Sequence, residues 1–319
     1  MKQAHAAAGT SERSGLPARP RPSDGTNQRF GAHLSVAGGL HLAFDAAVRI
    51  GCDCLQIFVK NQRQWSARPL SEEQIRAWRE AEAGCNVRPV VAHASYLLNL
   101  ASPDSAARRK SIAALVDELT RCEALGVSGL VVHPGAHMGE GVDSGIRRIC
   151  ESLDEAHHAT RGFSVRVLLE TTAGQGTSLG HEIRQIGRMV EGVRESERLG
   201  VCLDTCHLFA AGYDLRDGEA YGRMMDELAA HVGLARIACI HTNDSKGGCG
   251  SRLDRHEHVT KGAIGRGGFA NILNDPRLAL VPRILETPKG VDGRSVDLDR
   301  VNIQRMKRLI MSRGLSQSK

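Results

Sequence analysis

Eight short apolar segments alternate with longer segments of helical period, and this alternation constrains the fold more than any other feature of the chain. The apolar segments have the length of buried strands and occupy residues 30–32, 54–59, 87–92, 129–132, 165–169, 201–203, 237–240 and 283–285. Helices are predicted between them, for example at residues 40–50, 71–83, 105–125 and 221–232. Eight strands alternating with helices are what a (β/α)8 TIM barrel requires, so we predict this α/β fold as a single domain.

Local signals at the predicted helix ends agree with this arrangement. Ser71 and Gln74 are spaced as a capping box, in which each side chain hydrogen-bonds to the backbone N–H of the other residue. Gly51, Gly84 and Gly126 follow predicted helices, where glycine commonly ends a helix in the left-handed conformation. The helix boundaries are therefore predicted from both periodicity and capping.

The barrel domain is predicted to span residues 29–313. Residues 1–28 lack periodicity and contain three prolines among glycines, serines and arginines, so we predict a disordered N-terminal tail there and a flexible C-terminal tail at 314–319. A doubly wound sheet is the competing fold. It usually has a glycine-rich phosphate-binding fingerprint after its first strand, and residues 37–39 match that fingerprint poorly.

Composition excludes several classes of protein. No stretch approaches the roughly 18 apolar residues of a membrane span, and the first thirty residues contain no apolar segment of the signal-peptide type. The nine cysteines are an odd number without a C-x-x-C pair, which disfavours a disulfide framework or a zinc ribbon. We therefore expect a cytoplasmic protein without membrane contact, whose net charge of +6 permits a polyanionic partner.

Six of the eight apolar segments are followed at once by a residue type that binds metals: His93, His133, Glu170, Asp204, His241 and Glu286. One histidine at a strand end would be an ordinary rim residue. Six such positions converge on the C-terminal rim of a barrel, where barrel enzymes have their active sites. Nitrogen and oxygen donors without thiolates are typical of a hydrolytic metal site.

Two further segments add donors to this rim. Asp204 and His207 lie three residues apart in LDTCH, where a tight turn can direct both side chains into one pocket. Asp254 and His256 lie two apart in DRH, so they face the same way on extended chain. The total is nine donors, too many for one tetrahedral ion and about right for three if one carboxylate bridges. Sites with several metals serve phosphoryl chemistry.

Long motifs in this chain resemble those of the endonuclease IV family of apurinic/apyrimidinic endonucleases from residue 30 to about 309: GAHLSVAGGL, FVKNQRQW, HASYLLNL, HPGAH, LETTAGQG, CLDTCHLFAAGYDL, HTNDSK, GSRLDRHE and ILETP. The resemblance implies a (β/α)8 barrel with three zinc ions per chain and a catalytic Glu170 that bridges two of them. Its implied ligand sets are His93, His133 and Glu170 for the first ion, Glu170, Asp204, His241 and Glu286 for the second, and His207, Asp254 and His256 for the third.

The same resemblance implies a DNA-binding role for Arg63, Tyr96 and Leu97, which would enter the minor groove and fill the gap left when an abasic nucleotide flips out. An abasic site has already lost its base stacking, so bending and flipping cost less there than in intact DNA. Arg255 lies between two predicted ligands and is expected to contact a phosphate. His33 ends the first strand, and we expect it to pack beside the site without binding metal.

The expected function is hydrolysis of the DNA backbone 5′ of abasic sites in base excision repair, leaving a 3′-hydroxyl and a 5′-deoxyribose phosphate, with trimming of blocked 3′ ends. Double-stranded DNA containing abasic sites is the expected partner, and the protein is expected to act as a monomer. A metal-dependent sugar isomerase or epimerase is the alternative, since such enzymes use the same barrel with one or two ions. A lesion-binding protein without activity is a third interpretation.

Overall fold

A computed structural model describes residues 27–310, and these form the predicted closed barrel of parallel strands. The predicted tails at residues 1–28 and 314–319 lie outside the described residues, apart from positions 27 and 28. Eight strands close the barrel: β1 (Phe30–His33), β2 (Cys54–Ile57), β3 (Val90–His93), β4 (Gly129–Val132), β5 (Arg166–Glu170), β6 (Leu199–Asp204), β7 (Ile237–His241) and β10 (Arg283–Leu285). The strands follow one another around the barrel, and β1 closes it against β10.

The helices lie between successive strands and cover the barrel: α1 (Leu42–Ile50), α2 (Glu72–Ala83), α3 (Ser105–Leu125), α4 (Val142–Ala159), α5 (Ile183–Gly192), α6 (Thr205–Ala211), α7 (Gly218–His231), α8 (Gly265–Asn274) and α9 (Leu298–Leu309). A short antiparallel pair, β8 (Asp244–Ser245) and β9 (His256–Glu257), lies outside the barrel. It connects the loop after β7 with the DRH segment. None of the helices in the described part of the chain has the length and apolar character of a membrane span.

The predicted element boundaries are correct to within a few residues. Strand β3 begins only at Val90, because Pro89 has no N–H group to donate to a neighbouring strand. The capping box at Ser71 and Gln74 is present, and Gly51 ends α1 with a φ of 86°. Gly84 ends α2 as predicted, but at a φ of −75°, so that helix does not require glycine's left-handed conformation.

The barrel interior is filled by one small apolar side chain from each of seven strands, and these residues pack together: Cys54, Val91, Val131, Leu168, Cys202, Cys239 and Ile284. On β1 the corresponding residue is Gly31, where an added Cβ would lie 2.0 Å from the backbone oxygen of Cys54. A larger apolar core fills the layer between the strands and the helices. Both cores hold the strand ends rigidly, which fixes the side chains at the C-terminal rim.

Candidate metal centre

The polar side chains of the rim are positioned by the alternation of side chains between the two faces of each strand. Side chains two residues apart on a strand face the same side, so the residue two positions after each interior residue also faces the barrel axis. Those positions are occupied by Gln56, His93, His133, Glu170, Asp204, His241 and Glu286, with His33 in the equivalent position on β1. The six predicted strand-end donors are all among them. Four of these donors are the last residues of their strands, and His133 and Glu286 follow theirs directly.

The nine predicted donors lie in three groups, and within each group the candidate ligand atoms are all within 4.8 Å of one another. The groups are His93, His133 and Glu170; Glu170, Asp204, His241 and Glu286; and His207, Asp254 and His256. These groups have the same members as the ligand sets that the resemblance implies, and their binding of metal stays a prediction. Thiols of Cys202, Cys206 and Cys239 also lie within reach of two of these sets; Cys202 and Cys239 pack in the apolar barrel interior, and Cys206 is buried.

Glu170 is the carboxylate shared by the first two groups. Its Oε2 lies 3.2 Å from His93 Nε2 and 2.8 Å from His133 Nε2, while its Oε1 lies 2.8 Å from His241 Nδ1. The side chain is fully buried. Burial alone would raise its pKa, but the attraction of His133 and His241 outweighs burial and holds the pKa well below its ordinary value. The two oxygens of an ionised Glu170 therefore face two different groups of donors.

Asp204 and Asp254 connect the third group to the rest. Asp204 caps α6 by accepting from the backbone N–H of His207 at 2.8 Å, which places His207 in the first turn of that helix. His207 Nε2 lies 3.1 Å from Asp254 Oδ1, and His256 Nε2 lies 3.5 Å from Asp204 Oδ2. The structure has a helix N-terminus in LDTCH in place of the predicted tight turn. The two side chains are brought into one pocket either way.

Hydrogen bonds fix the tautomers of four of the five histidines. Three donate from Nδ1 to backbone carbonyls, which leaves Nε2 directed at the carboxylates: His93 to Ala94, His207 to Thr171 and His256 to Glu286. His241 is reversed, because its Nε2 donates to Gln56 Oε1 at 2.8 Å and its Nδ1 faces Glu170 and Glu286. Such partners of the second nitrogen are typical of metal-binding histidines.

The donor set fits divalent cations. Among the described residues, the buried Nε2 atoms of His207 and His256 face carboxylates but have no hydrogen-bond partner. Burial lowers the pKa of His207, yet the carboxylates of Asp204 and Asp254 outweigh it and raise that pKa to about 10. A site with four carboxylates therefore attracts positive charge strongly. A metal ion in each of the three groups of imidazole and carboxylate donors would supply this positive charge.

Three further residues organise the site, and the sequence analysis did not identify them. Gln56 donates from Nε2 to Glu286 Oε1 at 2.6 Å, in addition to its bond with His241. Asn243 donates to Asp204 Oδ2 at 2.7 Å and accepts from the backbone N–H of Glu286. The hydroxyl of Thr171 accepts from the backbone N–H of Asp204. The strand spacing could have revealed Gln56, because it lies two residues after the interior residue Cys54. His93 lies two residues after the interior residue Val91 in the same way.

The residues expected to contact DNA lie on loops that surround this centre. Tyr96 is 58% exposed and Leu97 is 37% exposed, although Tyr96 is only three residues from the buried His93. Arg63 is exposed in the loop after β2, and Arg255 is exposed between two donors. A pocket of about 270 Å³ opens between Tyr96, Leu97 and the third donor group. His33 contacts Glu286 at 3.2 Å and belongs to none of the three groups.

Comparison with known proteins identifies the fold and the family of the chain. Residues 44–309 match the model of a family described as xylose isomerase-like TIM barrel. A protein named probable endonuclease 4 from Chloroflexus aurantiacus is 47% identical over 282 residues, covering 88% of this chain and 98% of that protein.

Two solved structures extend the comparison. The crystal structure of endonuclease IV from Thermus thermophilus has a TM-score of 0.77 and 37% sequence identity, and the match covers 88% of this chain and 98% of that one. A D-tagatose 3-epimerase-like protein has a TM-score of 0.68 at 19% identity, with 88% of this chain and 97% of that chain covered, and this similarity shows the shared fold alone. The chain belongs to the endonuclease IV family.

Proposed function

We propose that this protein is a zinc-dependent DNA repair endonuclease that hydrolyses the backbone 5′ of abasic sites, leaving a 3′-hydroxyl and a 5′-deoxyribose phosphate, and that trims blocked 3′ ends. The proposal rests on the position of Glu170, whose two oxygens each lie 2.8 Å from a histidine of a different donor group. The third donor group and the exposed Tyr96 lie beside them. The endonuclease names of its relatives add support.

The nine donors are proposed as ligands of three zinc ions, in the three groups described above. When bound, such ions supply an acidified water, neutralise the phosphate and stabilise the leaving oxygen. Glu170 is the proposed catalytic residue, because it holds the first two groups in a fixed relation while fully buried. Gln56 and Asn243 direct His241, Glu286 and Asp204 into the site through hydrogen bonds, so little reorganisation is needed during the reaction.

Arg63, Tyr96, Leu97 and Arg255 are proposed to bind the DNA. Exposed apolar side chains beside a polar pocket mark interaction surfaces, and Tyr96 and Leu97 meet that description. Inserted side chains kink a duplex and unstack it at a modest cost, which is least where a base is missing. A net charge of +6 suffices for this substrate, because three divalent ions would outweigh the four carboxylates of the site and give the rim a net positive charge. We further propose that the protein acts as a monomer in the cytoplasm.

A sugar isomerase or epimerase is the alternative, since such an enzyme has the same fold. It would need one or two ions, and neither the third donor group nor the exposed Tyr96 and Leu97 would have a role in it.

Metal content tests the proposal against this alternative. Elemental analysis of the purified protein is expected to give about three ions per chain, mostly zinc, because nine donors with one shared carboxylate provide three sites of three or four protein ligands each. A chelator should remove both the metal and the cleavage of an abasic duplex, and added zinc should restore cleavage. One ion per chain, with turnover of a ketose and no nicking of the duplex, would favour the isomerase.

A further inference from the structure

A buried polar network joins the two loops that contain the proposed DNA contacts. Arg63 lies in the loop after β2, at residues 58–71, and Tyr96 and Leu97 lie in the loop after β3, at residues 94–104. The network contains Lys60 and Gln62 from the first loop, Ser95 from the second, and Asp117 and Glu118 from the middle of α3. None of these residues is part of the proposed metal centre.

Lys60 fixes the first loop to α3. Its ammonium group lies 3.1 Å from Asp117 Oδ2 and 3.3 Å from Glu118 Oε1, and it donates to the backbone carbonyl of Trp65 at 3.0 Å. The side chain is only 2% exposed. The bond to Trp65 closes the loop around Arg63, since Lys60 and Trp65 lie on either side of it in the sequence. Arg121 adds bonds to the carbonyls of residues 67 and 68.

Glu118 fixes the second loop, one residue before Tyr96. The backbone N–H of Ser95 lies 3.3 Å from Glu118 Oε1 and 3.2 Å from Oε2, and the Glu118 side chain is 1% exposed. The Ser95 hydroxyl then donates to the carbonyl of Gln62 at 2.5 Å, one residue before Arg63. It also accepts from the N–H of Leu97. A continuous path of hydrogen bonds therefore connects Arg63's loop, Glu118 and Tyr96's loop.

The location of this network indicates that it positions the two loops and contributes less to the stability of the fold. A buried ion pair adds little net stability, because the cost of removing both charges from water offsets their attraction. Here the pair lies beneath two irregular loops whose tips have to match one bent duplex. Fixing loops before binding avoids their ordering cost when the ligand arrives.

We propose that Glu118 and Ser95 are positioning residues, which set the distance between Arg63 and the Tyr96–Leu97 pair so that both insert at the same abasic site. The proposal rests on the proposed function and deepens it, because it names the residues that select a bent duplex with a gap. Neither residue contacts the substrate itself. Their effect should therefore depend on the presence of Arg63 and Tyr96, and should vanish for substrates that need no bending.

The test compares variants on an abasic duplex and on bis(p-nitrophenyl) phosphate, a small diester that needs no bending. Ser95→Ala removes the hydroxyl link and should lower kcat/KM on the duplex about tenfold, the effect of one buried hydrogen bond. Glu118→Leu should lower it at least as much, and Glu118→Gln should recover part of the loss, since an amide oxygen still accepts from Ser95 N–H. Lys60 keeps Asp117 as its partner in both Glu118 variants.

Hydrolysis of the small diester and metal content should equal those of the unaltered protein in all three variants. In a background that already contains Arg63→Ala and Tyr96→Ala, Ser95→Ala should cause almost no further loss, because residues that act through one another are not additive. The matched control is Thr160→Val at the end of α4, which removes a buried hydroxyl that donates to Ala156 and accepts from Arg198, contacts neither loop through these bonds and should leave duplex cleavage unchanged.

Two results would overturn the inference: an unchanged rate of Ser95→Ala and Glu118→Leu on the duplex, or an equal loss on the small diester. A full tenfold loss in the background lacking Arg63 and Tyr96 would also overturn it, because the network would then act independently of the DNA contacts. An unaltered protein that does not cleave the abasic duplex would instead refute the proposed function, so the two failures are distinguishable.

Discussion

Glu170→Gln is expected to abolish cleavage of abasic DNA, with a loss of more than about a hundredfold, and to lower the metal content below that of the unaltered protein. Among the three proposed ligand groups, the Glu170 carboxylate is the one shared donor, and its two oxygens lie 2.8 Å from His133 and from His241, respectively. A neutral amide offers one good acceptor oxygen, so it is a poor bridge between two dications. Elemental analysis and a nicking assay on the same preparation measure both effects.

The matched control is Asp275→Asn, which makes the same chemical change in another buried carboxylate. Asp275 accepts from the Tyr221 hydroxyl at 2.9 Å and pairs with Arg277, and it belongs to none of the three donor groups. This variant should keep its metal and its activity. Full activity of Glu170→Gln with unchanged metal content would show that the two donor groups do not act as a coupled pair.

The double variant Arg63→Ala and Tyr96→Ala should separate recognition from chemistry. Neither residue belongs to a donor group, and both side chains project from loops at the rim. Cleavage of an abasic duplex should fall by roughly one to three powers of ten in kcat/KM, because the flipped state costs a few kcal/mol and loses the side chains that stabilise it. Binding of the abasic duplex should weaken, while metal content and hydrolysis of bis(p-nitrophenyl) phosphate should stay unchanged.

Two results for the Arg63 and Tyr96 double variant would contradict this prediction. An equal loss on the small diester would mean that these side chains support the metal centre. Tyr96 would then act through His93, because the centroids of the two rings lie 5.2 Å apart. Unchanged cleavage of the abasic duplex would remove the proposed role in filling the gap.

The fold and the donors could be predicted because both follow from short-range patterns. A barrel strand ends in the active-site rim, so residue type at each strand end was enough to identify His93, His133 and Glu170. His207 was predicted for a partly different reason than the structure gives: it is placed by the helix that Asp204 caps. A three-residue spacing brings the two side chains together in a turn and at a helix start alike, and the role of His207 as a ligand stays a prediction.

The supporting residues could not be predicted in the same way. The spacing from Cys54 could have placed Gln56 at the rim, but not its role, because that role depends on contact with His241, 185 residues away in the sequence. Lys60 and Glu118 come together only because α3 packs beneath two loops, a tertiary contact with no local pattern. The β8–β9 pair contains two residues in each strand, too few for any periodicity to show.

The most direct test of the central proposal is to map the cut in a labelled duplex that contains one abasic analogue. The zinc-loaded protein should make a single nick immediately 5′ of the analogue, leaving a 3′-hydroxyl that a polymerase extends without further processing. The same duplex with an intact base should not be cut. Cleavage on the 3′ side, equal cleavage of the intact duplex, or no cleavage by protein that contains three zinc ions would contradict the proposed function.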